Sequence, residues 1–158
     1  MPQLFTQSKQ LIILFTLLIS IFGCESSIYN HNIKIPNYTW ERSNKLVYKI
    51  DIKEPIDKAK VTLNVRHATD LPYPELLINV KLTTPKNEKG TRLLKVPTKN
   101  AEGKNIGSGM GDMWDVKAVI ENSTSFQVGT YEIELTHQMP DNEVFMLIDM
   151  GIKIEKGE

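Results

Sequence analysis

The sequence predicts an all-β protein, a single two-sheet sandwich of jelly-roll-like form, placed after an N-terminal signal peptide. Three observations carry this reading. Apolar residues recur at every second position in short runs, the period of a strand that buries one face. Turn-forming residues separate those runs. No segment carries the i, i+3, i+4, i+7 stripe of an amphipathic helix.

The chain opens on an address. Lys9 is the only charged side chain before Glu25, and an apolar run from Leu11 to Phe22 follows it, interrupted by Thr16 and Ser20. This run is shorter than the roughly 20 residues that cross a bilayer, and it fits a signal-peptide core of about 7–15. It ends in Ile21-Phe22-Gly23-Cys24, the lipobox pattern of bacterial lipoproteins. Small Gly23 admits the peptidase, and the Cys24 thiol takes a diacylglyceryl group and palmitate-type chains. Each buried methylene adds about 0.8 kcal/mol of membrane affinity. The alternative is an uncleaved anchor helix with an incidental cysteine, but the chain's single cysteine stands where the lipobox needs it. Cleavage leaves 135 of the 158 residues, with 18 basic and 19 acidic groups. Acylation leaves no free thiol, which suits an oxidising compartment. The expected organisation is signal peptide over 1–23, lipidated N-terminus and flexible tether over 24–39, and sandwich over 40–158.

The strands follow in order. Leu46, Tyr48, Ile50 and Ile52 share one side of the first. Val61, Leu63 and Val65 alternate with Thr62, Asn64 and Arg66. Ile78, Val80 and Leu82 alternate with Asn79, Lys81 and Thr83. Trp114, Val116, Ala118 and Ile120 form a fourth pattern, and Tyr131, Ile133 and Leu135 a fifth. Val144 to Ile154 is nearly continuous, and Gly151 within it marks a bulge or bend. Turn signals lie at Glu54-Pro55, Leu71 to Pro74, Pro85 to Gly90, Val96-Pro97, Gly103 to Asp112, Gly129 and Pro140 to Asn142. The mature length holds about eight strands of the usual five to six residues.

Charge and composition exclude several functions. With 19 Lys+Arg against 19 Asp+Glu the formal net charge is zero, which argues against nucleic-acid binding. One cysteine excludes a disulfide framework and a cysteine-cluster zinc site. His31 falls in the expected tether, while His67 and His137 end strands as partly exposed imidazoles, with no metal-ligand spacing. No Gly-x-Ser-x-Gly elbow supports a serine hydrolase, so no catalytic residue and no cofactor is expected. The segment Gly103 to Asp115 is the most unusual stretch. Gly107, Gly109 and Gly111 do not fit a dinucleotide loop, but they permit sharp turns and close backbone approach. With them, Asp112 and Asp115 make a structural loop, and both are weak candidates for calcium. Trp40, Tyr73 and Trp114 are candidate contacts for a partner or a glycan, with Tyr73 between two prolines the best placed for exposure.

Several pieces in order carry a resemblance: the lipobox at Cys24, Arg66-His67, Tyr73-Pro74 with Leu77, and the loop Gly107-Ser108-Gly109-Met110-Gly111-Asp112-Met113-Trp114-Asp115. Gly129-Thr130-Tyr131, His137-Gln138-Met139 and Met150-Gly151-Ile152-Lys153-Ile154-Glu155 complete it. Together they resemble the GldH family of gliding motility-associated lipoproteins of Bacteroidota. Glu75, Pro140 and Ile106 depart from the residues expected beside these motifs. The resemblance implies a non-enzymatic component or assembly factor of the gliding machinery and its associated protein secretion system. It implies a place in the cell envelope, facing the periplasm or outer membrane, with protein partners. A lipid-anchored glycan-binding module is the competing reading.

Overall fold

The computed structural model describes residues 27–157. The signal peptide and Cys24 lie outside the described residues. The elements are β1 (Ser27–Lys34), a 3-10 turn (Pro36–Tyr38), β2 (Thr39–Glu41), β3 (Leu46–Ile52), β4 (Ile56–Ala68) and β5 (Glu75–Thr83). Next come β6 (Lys89–Pro97), β7 (Ser108–Met110), β8 (Met113–Phe126), β9 (Gly129–His137), β10 (Glu143–Phe145) and β11 (Leu147–Lys156).

Two antiparallel sheets form the sandwich. One runs β1-β11-β4-β8-β7, the other β3-β9-β5-β6, and β2 pairs with β10 as a small ribbon. Neighbours within each sheet are mostly distant in sequence, because the chain crosses repeatedly between sheets. This strand order is that of a jelly roll, with two interlocked Greek keys. The core sits between the sheets, filled by the side chains that alternation points inward. Leu46, Tyr48, Ile50 and Ile52 of β3 face Val61, Leu63 and Val65 of β4 and Met150, Ile152 and Ile154 of β11 in one buried cluster. The Tyr48 hydroxyl is buried with them and donates to the Met150 carbonyl at 2.7 Å.

Several expectations need correction. Residues 27–34, expected in the tether, are β1, an edge strand in register with β11 from Ser27↔Glu155 to Lys34↔Asp149. Its polar residues face solvent while Tyr29 and Ile33 pack on the core, a weak alternation in an edge position. Val96-Pro97 is not a turn but the end of β6, an outermost strand where charges and a terminal proline are tolerated. The run from Val144 is broken at Met146, whose φ of 66° turns the chain from β10 into β11. Gly151 makes no bulge. It is regularly paired, and a Cβ there would overlap the Asn32 side chain.

Antiparallel register defines two ends. Ser27 and Glu155, Glu155 and Lys60, and Val61 and Glu121 are partners at one end. The chain returns there at 53–55, 84–88 and 127–128. The opposite end carries the start of β8, the β7–β8 turn and the β10–β11 junction.

Candidate functional site

Nearly all the residues singled out from sequence gather at the end opposite Ser27. The framework is one row across the larger sheet: Leu147↔His67, His67↔Trp114 and Trp114↔Gly109. His67 is wholly buried, not a partly exposed strand end. Its Nδ1 lies 2.8 Å from the Ala68 carbonyl. Burial holds its pKa below the ordinary imidazole value and keeps it neutral. Trp114 is half-buried beside it, and its indole N–H donates to the Thr69 hydroxyl at 3.2 Å.

The glycine loop builds this row's edge. Gly107 has φ 99°, and a Cβ there would run into the Asp115 backbone carbonyl, so β7 lies against β8 only because that position is bare. Gly111, at φ 62°, and Asp112 make the two-residue turn joining Met110 to Met113. Glycine at the first turn position is the requirement of a type II′ hairpin. Gly109 has no positive φ. A Cβ there would lie 3.1 Å from the Trp114 ring.

The acidic residues have other partners. The Asp112 carbonyl accepts the Thr69 N–H at 2.9 Å, and its side chain is exposed. The Asp115 carboxylate takes a bidentate pair with Arg66 at 2.7 and 3.0 Å. Arg66 also lies 3.6 Å from Asp149, which accepts from the Asn32 amide at 2.8 Å. A four-strand polar row therefore crosses the sheet's outer face, with one guanidinium between two carboxylates at its centre. Among the described residues no three His, Cys, Asp or Glu side chains come together as a metal site would need.

The three aromatic candidates do not form one platform. Trp40 is 1% exposed, donates to the Asn44 carbonyl at 2.8 Å and meets the His137 ring edge-on at 5.2 Å. Tyr73 is half-buried, with its hydroxyl donating to Asp141 at 2.7 Å. His137 is buried as well, and desolvation first, then Arg42, holds its pKa below the usual value. Arg42 itself donates to the carbonyls of Pro140 and Asp141 at 2.9 and 3.0 Å and so fixes that loop.

What the sequence reading passed over is the apolar rim outside this frame. Met110 pairs with Met113, Met113 with Ala68, and the Ala68 N–H donates to the Met146 carbonyl at 2.9 Å. Four adjacent chain segments thus bring Met146, Ala68, Met113 and Met110 into one line, roughly 14 Å from first to last by strand spacing. Met110 is 75% exposed, and Phe145, Met146 and Met113 are also exposed. Tyr38, exposed at the 3-10 turn beside β2, flanks Phe145 through the Thr39↔Phe145 pairing. Exposed apolar groups clustered this way mark interaction surfaces, and flexible methionines suit them. Met110 and Met113 lie in the glycine loop and its strand, and Met113 shares a strand face with charged Asp115, which was the available signal.

A family model described as GldH lipoprotein matches residues 27–154. The gliding motility lipoprotein GldH of Flavobacterium johnsoniae is 20% identical over 153 residues, covering 92% of this chain and 96% of that protein. Among solved structures, a Bacillus thuringiensis Cry1Da core variant aligns over 82% of this chain but only 21% of its own, at 11% identity and TM-score 0.45. The CBM35 from Cellvibrio japonicus Abf62 aligns over 72% of this chain and 70% of its own, at 14% identity and TM-score 0.36.

Proposed function

The chain belongs to the GldH lipoprotein family, and from that premise we propose that it is a non-catalytic component of the gliding machinery, docking a protein partner through its methionine rim. The lipoprotein family places it in the cell envelope as a membrane-anchored, gliding motility-associated protein. The anchor is the acylated Cys24. The fixed end of the sandwich is then the Ser27 end, and the rim of Met110, Met113, Phe145 and Met146 points away from the membrane.

The exposed methionine row carries this reading. Its residues hold no core position, yet they lie in one line at the end where the glycine loop sets β7 against β8. The glycan reading has less support, because Trp40 is core, Trp114 packs over Gly109 and Tyr73 is tied to Asp141.

The test is complementation of a deletion strain filmed on glass. Wild type restores gliding. Cys24→Ala abolishes it by releasing the protein from the membrane. The variant Met110→Ser/Met113→Ser/Phe145→Ser stays in the membrane fraction, melts within about 0.5 kcal/mol of wild type as surface changes do, and fails to restore gliding. Full gliding by that variant sinks the docking role of the rim.

A further inference from the structure

We propose that the Ser27 end lies directly on the bilayer and that its cleft takes up an acyl chain of a membrane phospholipid. The inference rests on Cys24 being the anchor. The first argument is length. Only three residue steps separate Cys24 from Ser27, and an extended chain spans at most about 10 Å over them. Since β1 is paired from Ser27 onward, nothing longer holds the sandwich off the membrane. The turns at 53–55, 84–88 and 127–128 face the same way as Ser27 and meet the bilayer with it.

The second argument is what that end contains. Between the β5–β6 and β8–β9 turns the sheets part over a cleft of ≈ 640 Å³, a size typical of ligand sites. Its interior is apolar, lined by Val80, Ile120, Phe126, Tyr131 and Ile133 among others. The one polar group among these, the Tyr131 hydroxyl, accepts the Gln127 N–H at 2.9 Å. Arg92 and Glu121 also line the cleft, where they pair with each other, and apolar surface predominates inside. The mouth carries Thr84, Lys86, Glu88, Ser125 and Val128, polar groups at headgroup level around an exposed valine. The cleft opens where pairing stops. β7 covers β8 only from Met113 to Asp115, and β6 pairs with β5 alone.

The third argument is charge. Exposed Lys53, Lys58, Lys86, Lys89 and Lys156 stand at this end against Asp51, Glu54, Asp57 and Glu88, an excess of only one positive charge. Attraction to anionic lipid is therefore weak, and the contact is carried by the hydrocarbon. A flexible, unbranched chain with no hydrogen-bonding groups matches such an interior.

The experiment uses the full-length acylated protein, reconstituted into phosphatidylethanolamine/phosphatidylglycerol vesicles that contain a phospholipid with a diazirine in its acyl chain. After irradiation, adducts are mapped by mass spectrometry. The expected result is labelling at Phe126, Tyr131 and Ile133, falling several-fold in Leu82→Trp, which fills the mouth. A second readout uses the absence of any other cysteine. A nitroxide on Val128→Cys is relaxed by oxygen dissolved in the bilayer and shielded from an aqueous nickel complex, and one on Met110→Cys shows the reverse. Acylated protein that yields no cleft adducts overturns the inference alone, as does equal nickel access at the two positions. Labelling of the cleft only by a photoreactive anchor on Cys24, or its competition by an extended peptide instead of lipid, also overturns it. An intact mass showing Cys24 unacylated overturns the anchor and this inference together.

Discussion

At the Ser27 end, apolar side chains such as Val80, Phe126 and Ile133 bound a cleft between parted sheets. At the other end the interior is closed by Trp40, Leu71, His67 and His137, all buried, and the surplus apolar groups stand outside as the methionine rim. One end presents a concavity, the other a projecting row. A mainly apolar concavity suits a flexible hydrocarbon, whereas projecting methionines suit the groove of another protein. The same strand pairing thus produces two surfaces of opposite shape, and glycine sets both. Gly129, at φ 141°, lets the β8–β9 turn approach Pro85, 2.7 Å from where a Cβ would sit. Gly107 lets β7 approach the Asp115 backbone.

The largest expected effects break these two approaches. Gly107→Ala combines a disfavoured φ with overlap on a backbone carbonyl, and chemical denaturation should show a loss of more than about 2 kcal/mol. Gly129→Ala should cost a similar amount, since a proline ring also yields little. Gly111→Ala has open space around it and carries only the backbone cost of a side chain at that turn corner, about 1–2 kcal/mol. Gly109→Ala should cost least of the four, because its φ is ordinary and the Trp114 ring can move by tenths of an ångström. Equal losses at Gly107 and Gly111 would mean that β7 is not held by close approach at all.

The next effect sharpens the comparison by pH. The two buried histidines both belong to the rim end, and both have pKa values lowered by burial. The unfolded chain protonates first, near pH 6.5, so below that value it binds protons that the folded state refuses. Stability therefore falls as pH drops from about 6.5 toward the lowered folded values, by at most about 1.4 kcal/mol per pH unit for each histidine. Above pH 7 these groups contribute no slope. Melting temperatures from pH 8 to pH 5 should show the decline, and His67→Gln/His137→Gln should flatten it. A decline of the same steepness in that double variant would assign the acid sensitivity elsewhere.

How much of this was legible in the sequence differs between strand types. Central strands such as β3 and β9 bury one full face, so period-two alternation in Leu46 to Ile52 and Tyr131 to Leu135 revealed them. Edge strands were not legible. β1 is largely polar, and β6 exposes Leu93 while burying only Val96 well, so neither writes a clear alternation. The glycine loop was recognisable as a close-approach device, but which glycine does what depends on the positions of Asp115 and Trp114 in space. The histidines were misjudged because sequence shows that His67 and His137 end strands, not that Trp114 and Trp40 lie against them. The methionine rim arises from register alone, joining residues 68, 110, 113 and 146, and no local window holds all four.

The smallest effect concerns the polar row below the rim. The Arg66–Asp115 pair has good bidentate geometry, but both side chains are about half exposed, so water and salt weaken it. Asp115→Asn should cost about 1 kcal/mol or less. Arg66 keeps a second carboxylate in reach, Asp149 at 3.6 Å, which limits the loss further. This pairing also bears on calcium. If Arg66 holds the Asp115 carboxylate in solution, a chelator should leave the melting temperature of wild type unmoved, and Asp112→Ala should behave identically with and without it. Should chelator lower the melting temperature of wild type but not of Asp112→Ala, the loop carbonyls and both aspartates would be holding a cation. Arg66 would then pair with Asp149, and the rim end would be set by an ion as well as by its glycines.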